Sequence, residues 1–133
     1  MPTVPLIDYA DAEPAVQAVY DDIRATRKTD FINNFWKALA HNPEQLKRTW
    51  ESAKAVMAPG ALDPLTKELI YIAVSVANTC EYCIHSHTAA ARAKGMTEDQ
   101  YGELLAVIGM AHHTNGLVAT LQVEVDEIFK VGN

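Results

Sequence analysis

Cysteine is nearly absent from this chain: there are two in 133 residues, at positions 80 and 83. So few cysteines exclude a small secreted scaffold held together by several disulfides. Basic residues are also scarce, with 11 Lys and Arg against 17 Asp and Glu and a formal net charge of −6. The acidic side chains are dispersed, which argues against a nucleic-acid backbone or an anionic membrane as partner. Arg24, Arg27 and Lys28 form the one modest basic cluster, read as the solvated end of a helix. The N-terminal Met1-Pro2-Thr3-Val4-Pro5 has neither a basic segment nor an apolar one, so no signal peptide is visible. The longest strongly apolar stretch, Leu69 to Ala77, is about half the roughly 20 residues a membrane-spanning helix needs. These absences lead us to expect a cytoplasmic protein with no membrane and no nucleic-acid partner. Also missing are internal repeats, low-complexity tracts, linkers and any cofactor-binding motif, and no alternating run suggests a strand.

What is present reads as helix. Apolar residues make up 49% and charged residues 21% of a chain of single-domain length, so we expect one all-α domain over 1–133, a bundle of about six or seven helices. Asp11 to Thr26 forms a first amphipathic helix with Val16, Val19, Tyr20 and Ile23 inward. Phe31, Phe35, Trp36 and Leu39 mark a short second one. Asn42-Pro43-Glu44-Gln45 supplies a cap, a first-turn proline and a capping-box glutamine for a third, with Leu46, Trp50, Ala53 and Met57 on one stripe. Asp63-Pro64 opens a fourth, apolar nearly all the way round, a pattern that calls for burial on most sides, partly by other subunits. The fifth starts after Asn78-Thr79 and stops at Gly95. Thr97-Glu98-Asp99-Gln100 caps a sixth, and His112-His113-Thr114-Asn115-Gly116 separates it from a seventh carrying Leu117, Leu121, Val125 and Ile128.

The chemistry concentrates in Cys80-Glu81-Tyr82-Cys83-Ile84-His85-Ser86-His87, with Glu68 one helix upstream. If Thr79 or Asn78 caps the fifth helix, both cysteines lie in its first turn, where unpaired N–H groups favour a thiolate and Glu81 opposes it. Cys83 and His87 are i and i+4 on one face, so the imidazole can accept the thiol proton. Cys80 is within disulfide reach of Cys83. Glu68, on a stripe with Ile72, Ser75 and Thr79, can orient His87 or take protons itself. A zinc reading lacks ligands: a closed site needs four, no second C-x-x-C exists, and His85 points away from His87. The bland alternative is two inert core cysteines. His41 reads as packed or hydrogen-bonded, and of His112 and His113 one reads as interfacial and the other as solvated.

Glu68 followed by Cys80-x-x-Cys83-x-x-x-His87 resembles the alkylhydroperoxidase D family within the carboxymuconolactone decarboxylase-like superfamily. Ala40-His41-Asn42-Pro43, Pro59-Gly60-Ala61-Leu62-Asp63-Pro64, Glu68-Leu69-Ile70 and Ala77-Asn78-Thr79-Cys80 extend the likeness over nearly the whole chain, toward its short, peroxidase-related branch. The resemblance implies an all-helical fold assembled as a trimer or hexamer. It also implies a peroxide-attacking Cys83, a resolving Cys80 that meets an external lipoyl- or thioredoxin-like reductant, a His87 that activates Cys83, and a proton-relaying Glu68. Tyr82 stands where the alkylhydroperoxidase has a histidine, and a phenol near pKa 10 is a poor shuttle, which leaves Tyr82 an auxiliary hydrogen-bond donor. The expected activity is thiol-dependent reduction of hydroperoxides without cofactor or metal. The alternatives are a disulfide reductase or adaptor, a lactone decarboxylase, and a non-enzymatic redox sensor.

Overall fold

Three helices begin on proline, whose missing N–H is no loss at the first helical position. The computed structural model describes residues 2–132. Among them are six α-helices and no strand: α1 (Pro14–Arg27), α2 (Asn34–Leu39), α3 (Pro43–Met57), α4 (Pro64–Ala77), α5 (Glu81–Ala93) and α6 (Glu98–Leu121), with short 3-10 turns at Tyr9–Asp11 and Glu127–Phe129. They fall into two compact units, one ending at Ala58 and one beginning at Pro59.

In the first unit, α1 starts later than the periodicity suggests, because Tyr9–Asp11 forms a separate turn and Pro14 sets the first helical residue. Val16, Val19, Tyr20 and Ile23 are buried as expected and meet Ile32, Trp36, Leu46 and Trp50 in one apolar cluster. Phe31 stays exposed, and its neighbour Ile32 is the buried residue there. The polar ends of the aromatic side chains are satisfied. The Tyr20 hydroxyl donates to the Ile7 carbonyl at 2.8 Å, and the Trp50 indole donates to Asp22, which also accepts from Lys54. Asn42 caps α3 by accepting from the Gln45 N–H at 3.1 Å. His41 Nε2 donates to the Pro5 carbonyl at 2.6 Å, a structural bond.

In the second unit, α4 and α5 pack on each other and α6 leans on α4. Ile72, Ala91 and Met96 are the buried apolar centre, with Leu65, Leu69, Val76, Tyr101, Leu104 and Ile108 around it. Asp63 caps α4 through the Thr66 N–H and hydroxyl, and Thr97 and Gln100 complete a reciprocal capping box on α6. The expected seventh helix is absent, because α6 runs unbroken through Gly116 to Leu121. The turn-like residues there are accommodated inside it: the Thr114 hydroxyl donates to the Met110 carbonyl at 3.1 Å and the Thr120 hydroxyl to the Gly116 carbonyl at 2.7 Å. Each of the three glycines inside α6, Gly102, Gly109 and Gly116, costs only about 0.5–1 kcal/mol, too little to break a long apolar helix. Val125 and Ile128 lie beyond it. By length and composition α6 could cross a membrane, which the search for an unbroken apolar stretch did not foresee. Within this chain α6 buries none of its residues.

Candidate active site

The site is built on the joint between α4 and α5. Thr79 takes the left-handed conformation (φ 54°), and two crossed bonds close α4: the Thr79 N–H to the Val76 carbonyl (3.1 Å) and the Cys80 N–H to the Ser75 carbonyl (2.9 Å). This is a Schellman arrangement, made here by a β-branched residue where glycine is usual. The chain therefore turns one residue later than the sequence suggests. Cys80 itself, rather than Thr79 or Asn78, is the N-cap of α5, and its sulfur accepts the Cys83 N–H at 3.3 Å. Cys83 is thus in the first turn, as expected, and Cys80 just outside it. The two are joined as a disulfide with Cα atoms 5.3 Å apart, so this is the oxidised form of the pair.

Glu68 is buried, at 4% exposure, on the face of α4 that also buries Ile72 and Ser75. One carboxylate oxygen accepts from His87 Nδ1 at 2.7 Å and the other from Lys94 Nζ at 3.2 Å. Burial pushes the Glu68 carboxyl up, but the His87 hydrogen bond and the Lys94 charge together outweigh it and hold the group below its ordinary value. Because Nδ1 carries the proton toward Glu68, the neutral imidazole presents Nε2 as its basic nitrogen. Tyr71 lies flat against the ring, with centroids 3.6 Å apart and planes 19° apart. The imidazole is fixed by a hydrogen bond at one edge and by a stack on one face.

Glu68 and His87 are therefore brought together as the spacing predicts, on facing sides of α4 and α5, and Ser75 and Ile72 share the buried stripe with Glu68. Tyr82, at 45% exposure, is not needed to link Glu68 to the imidazole, since the carboxylate reaches His87 directly. His85 is exposed on a different face. Among the described residues no group of three or more His, Cys, Asp or Glu side chains could hold a metal ion. Two members of the site, Lys94 and Tyr71, escaped the sequence reading. Their signal was positional: Lys94 falls seven residues after His87 and eleven after Cys83, on one helical stripe, and Tyr71 falls three after Glu68.

The chain matches the Carboxymuconolactone decarboxylase family over residues 43–124. It is 35% identical over 100 residues to the alkyl hydroperoxide reductase AhpD of Solibacter usitatus, an alignment that covers 73% of this chain and 55% of that protein. It is 40% identical over 80 residues to uncharacterized protein 4 in the cox locus of Paracoccus denitrificans, covering 56% of this chain and 71% of that one. The chain thus spans little more than half the length of the AhpD relative. Among solved structures, the alkylhydroperoxidase AhpD core from Rhodospirillum rubrum matches with a TM-score of 0.95 at 61% identity over 97% of each chain. The family match over residues 43–124, the all-helical fold and these relatives together place the chain in the carboxymuconolactone decarboxylase family, among its AhpD-like members.

Proposed function

We propose that this protein is a thiol-dependent alkyl hydroperoxide reductase that cycles Cys80 and Cys83 between dithiol and disulfide. The observation that supports it most is the disulfide-bonded pair at the start of the same helix that presents an imidazole held by a buried carboxylate. In the reduced protein, His87 Nε2 takes the Cys83 proton. The thiolate attacks the peroxide's terminal oxygen and forms an S–O bond as the O–O bond breaks. The leaving alkoxide takes the proton back from the imidazolium and departs as an alcohol. Cys80 then attacks the Cys83 sulfenic acid, forming the disulfide and releasing water. A dithiol partner, lipoyl- or thioredoxin-like, returns two electrons and two protons through exchange at Cys80. The names of the AhpD relatives support peroxide as the oxidant.

The same proposal includes a cytoplasmic homo-oligomer, trimer or hexamer, in which the uncovered apolar length of α6 is buried. Lactone decarboxylation, the reaction in the family's name, has no use for a redox dithiol, and the pair weighs against it here.

The test is anaerobic reaction of the reduced protein with cumene hydroperoxide, followed by mass spectrometry. We expect loss of two hydrogens at Cys80 and Cys83 at a rate well above that of free cysteine. Cys83→Ser should abolish the reaction and Cys80→Ser should accumulate a trappable sulfenic acid. Thiols that remain alkylatable after peroxide treatment would overturn the proposal.

A further inference from the structure

The cluster contains one positive charge that does not come and go during the cycle. Glu68 is buried and ionised, and its two hydrogen-bond partners differ in kind: His87 gains and loses a proton as it serves Cys83, whereas Lys94 stays cationic. With His87 alone as partner, each return of the imidazole to its neutral form would leave a buried carboxylate uncompensated, a costly state. We propose that Lys94 is a positioning residue that keeps Glu68 ionised in both protonation states of His87, and so sets the pH above which the Cys83 thiolate becomes available. This deepens the reading above and rests on Cys83 and His87 working as a thiol–imidazole pair.

The groups that act on Glu68 are few. Lys94 and His87 both come from the α5 side, and Tyr71 of α4 reaches the cluster through the face of His87. From α6 the titratable residue packed nearby is Tyr101, in the apolar cluster around Ile72 and under the Arg92 guanidinium. Arg92 itself pairs with Glu98. Among the described residues Lys94 is thus the one fixed positive charge bonded to the carboxylate. Removing it raises the proton affinity of the thiol, imidazole and carboxyl alike, so the acid limb of thiol reactivity moves to higher pH whichever group the limb reports. A lysine that merely stabilised the C-terminal end of α5 through the helix dipole would leave that limb in place.

The experiment compares Lys94→Met and Lys94→Arg in a Cys80→Ser background, following alkylation of Cys83 by iodoacetamide from pH 5 to 9. For Lys94→Met the limb should move up, with a rate about fivefold below the parent on the acid side, a ratio set by the upper range for an ion pair with one partner reaching solvent, and converging with it at high pH. Lys94→Arg should follow the parent throughout. Superimposable Lys94→Met and parent profiles, or a uniform loss at every pH, would overturn the inference, and Lys94→Gln, which removes the charge but keeps a polar end, makes the same test if the methionine variant folds poorly. Alkylation needs no peroxide. A moved limb in a protein that cumene hydroperoxide fails to oxidise would uphold the role of Lys94 and refute the peroxidase reading, and an unmoved limb in a working peroxidase would do the reverse.

Discussion

Glu68→Gln keeps the shape of the side chain at the centre of the site and removes its charge. The amide can still accept a hydrogen bond from His87, but it no longer selects the tautomer or balances an imidazolium, and it leaves Lys94 without a counter-charge. A charge-assisted hydrogen bond is worth about 1.5–3 kcal/mol, so oxidation of Cys83 by peroxide should slow by about tenfold to a hundredfold. The carboxylate also carries a stability signature. Its folded-state value lies below the ordinary one, so it stabilises the protein above the unfolded value of about 4.3, and that contribution is lost as pH falls through the lower folded value. Denaturant midpoints measured across that acid window should therefore fall less steeply for Glu68→Gln than for the parent. The residues named from sequence, Glu68, Cys80, Cys83 and His87, were legible because thiols, an imidazole and a carboxylate at helical spacing have few bland uses together. Lys94 and Tyr71 were not, since a lysine before a C-terminal glycine and a tyrosine on an apolar helix each have an ordinary reason to be there.

Both ends of α5 are set by left-handed residues, one favourable and one strained. Gly95, at φ 95°, closes the helix with bonds from its own N–H to the Arg92 carbonyl and from the Met96 N–H to the Ala91 carbonyl, which seats Met96 against the core. An added Cβ would meet nothing within 4 Å, so Gly95→Ala should cost about 1–2 kcal/mol through backbone conformation alone, read as a lower urea midpoint at unchanged slope. Thr79 makes the mirror case. Glycine there should relieve the left-handed strain, less the entropy glycine loses on folding, and raise stability by about 0.5–1 kcal/mol. The starts of α3, α4 and α6 were legible because Asn42, Asp63 and Thr97 cap with side chains whose chemistry is local, whereas α1 and α5 begin later than the sequence suggests. The helix stops were less so. Gly95 announced itself, but Thr79 adopts a conformation its type disfavours, and the Thr114-Asn115-Gly116 run looks like a turn until its hydroxyls are seen bonding back along α6.

At the scale of the molecule, the outstanding quantity is apolar surface. Leu105, Val107, Met110, Leu117, Val118 and Leu121 of α6 are each at least half exposed, and we assign this uncovered apolar stretch to the interface of the proposed homo-oligomer. The proposed homo-oligomer should sediment as a multiple of 14.6 kDa at micromolar concentration. Leu117→Glu should shift it toward the single chain, and a parent that sediments as 14.6 kDa would remove the oligomer from the proposal. The over-apolar α4 hinted at such burial, and Ile70 and Val74 do remain exposed on it. The tight joint at Asn78–Cys80 has a different kind of consequence. Every chemical group of the site, from Glu68 to Lys94, hangs on two rods joined by a pin of fixed length. One added residue would swing α5 by about 100° and slide it about 1.5 Å, carrying His87 away from its carboxylate while leaving both helices intact. Insertions and deletions should be tolerated in the tail after Leu121 and forbidden at this joint, so the turn works as a ruler for the chemistry as well as a connection.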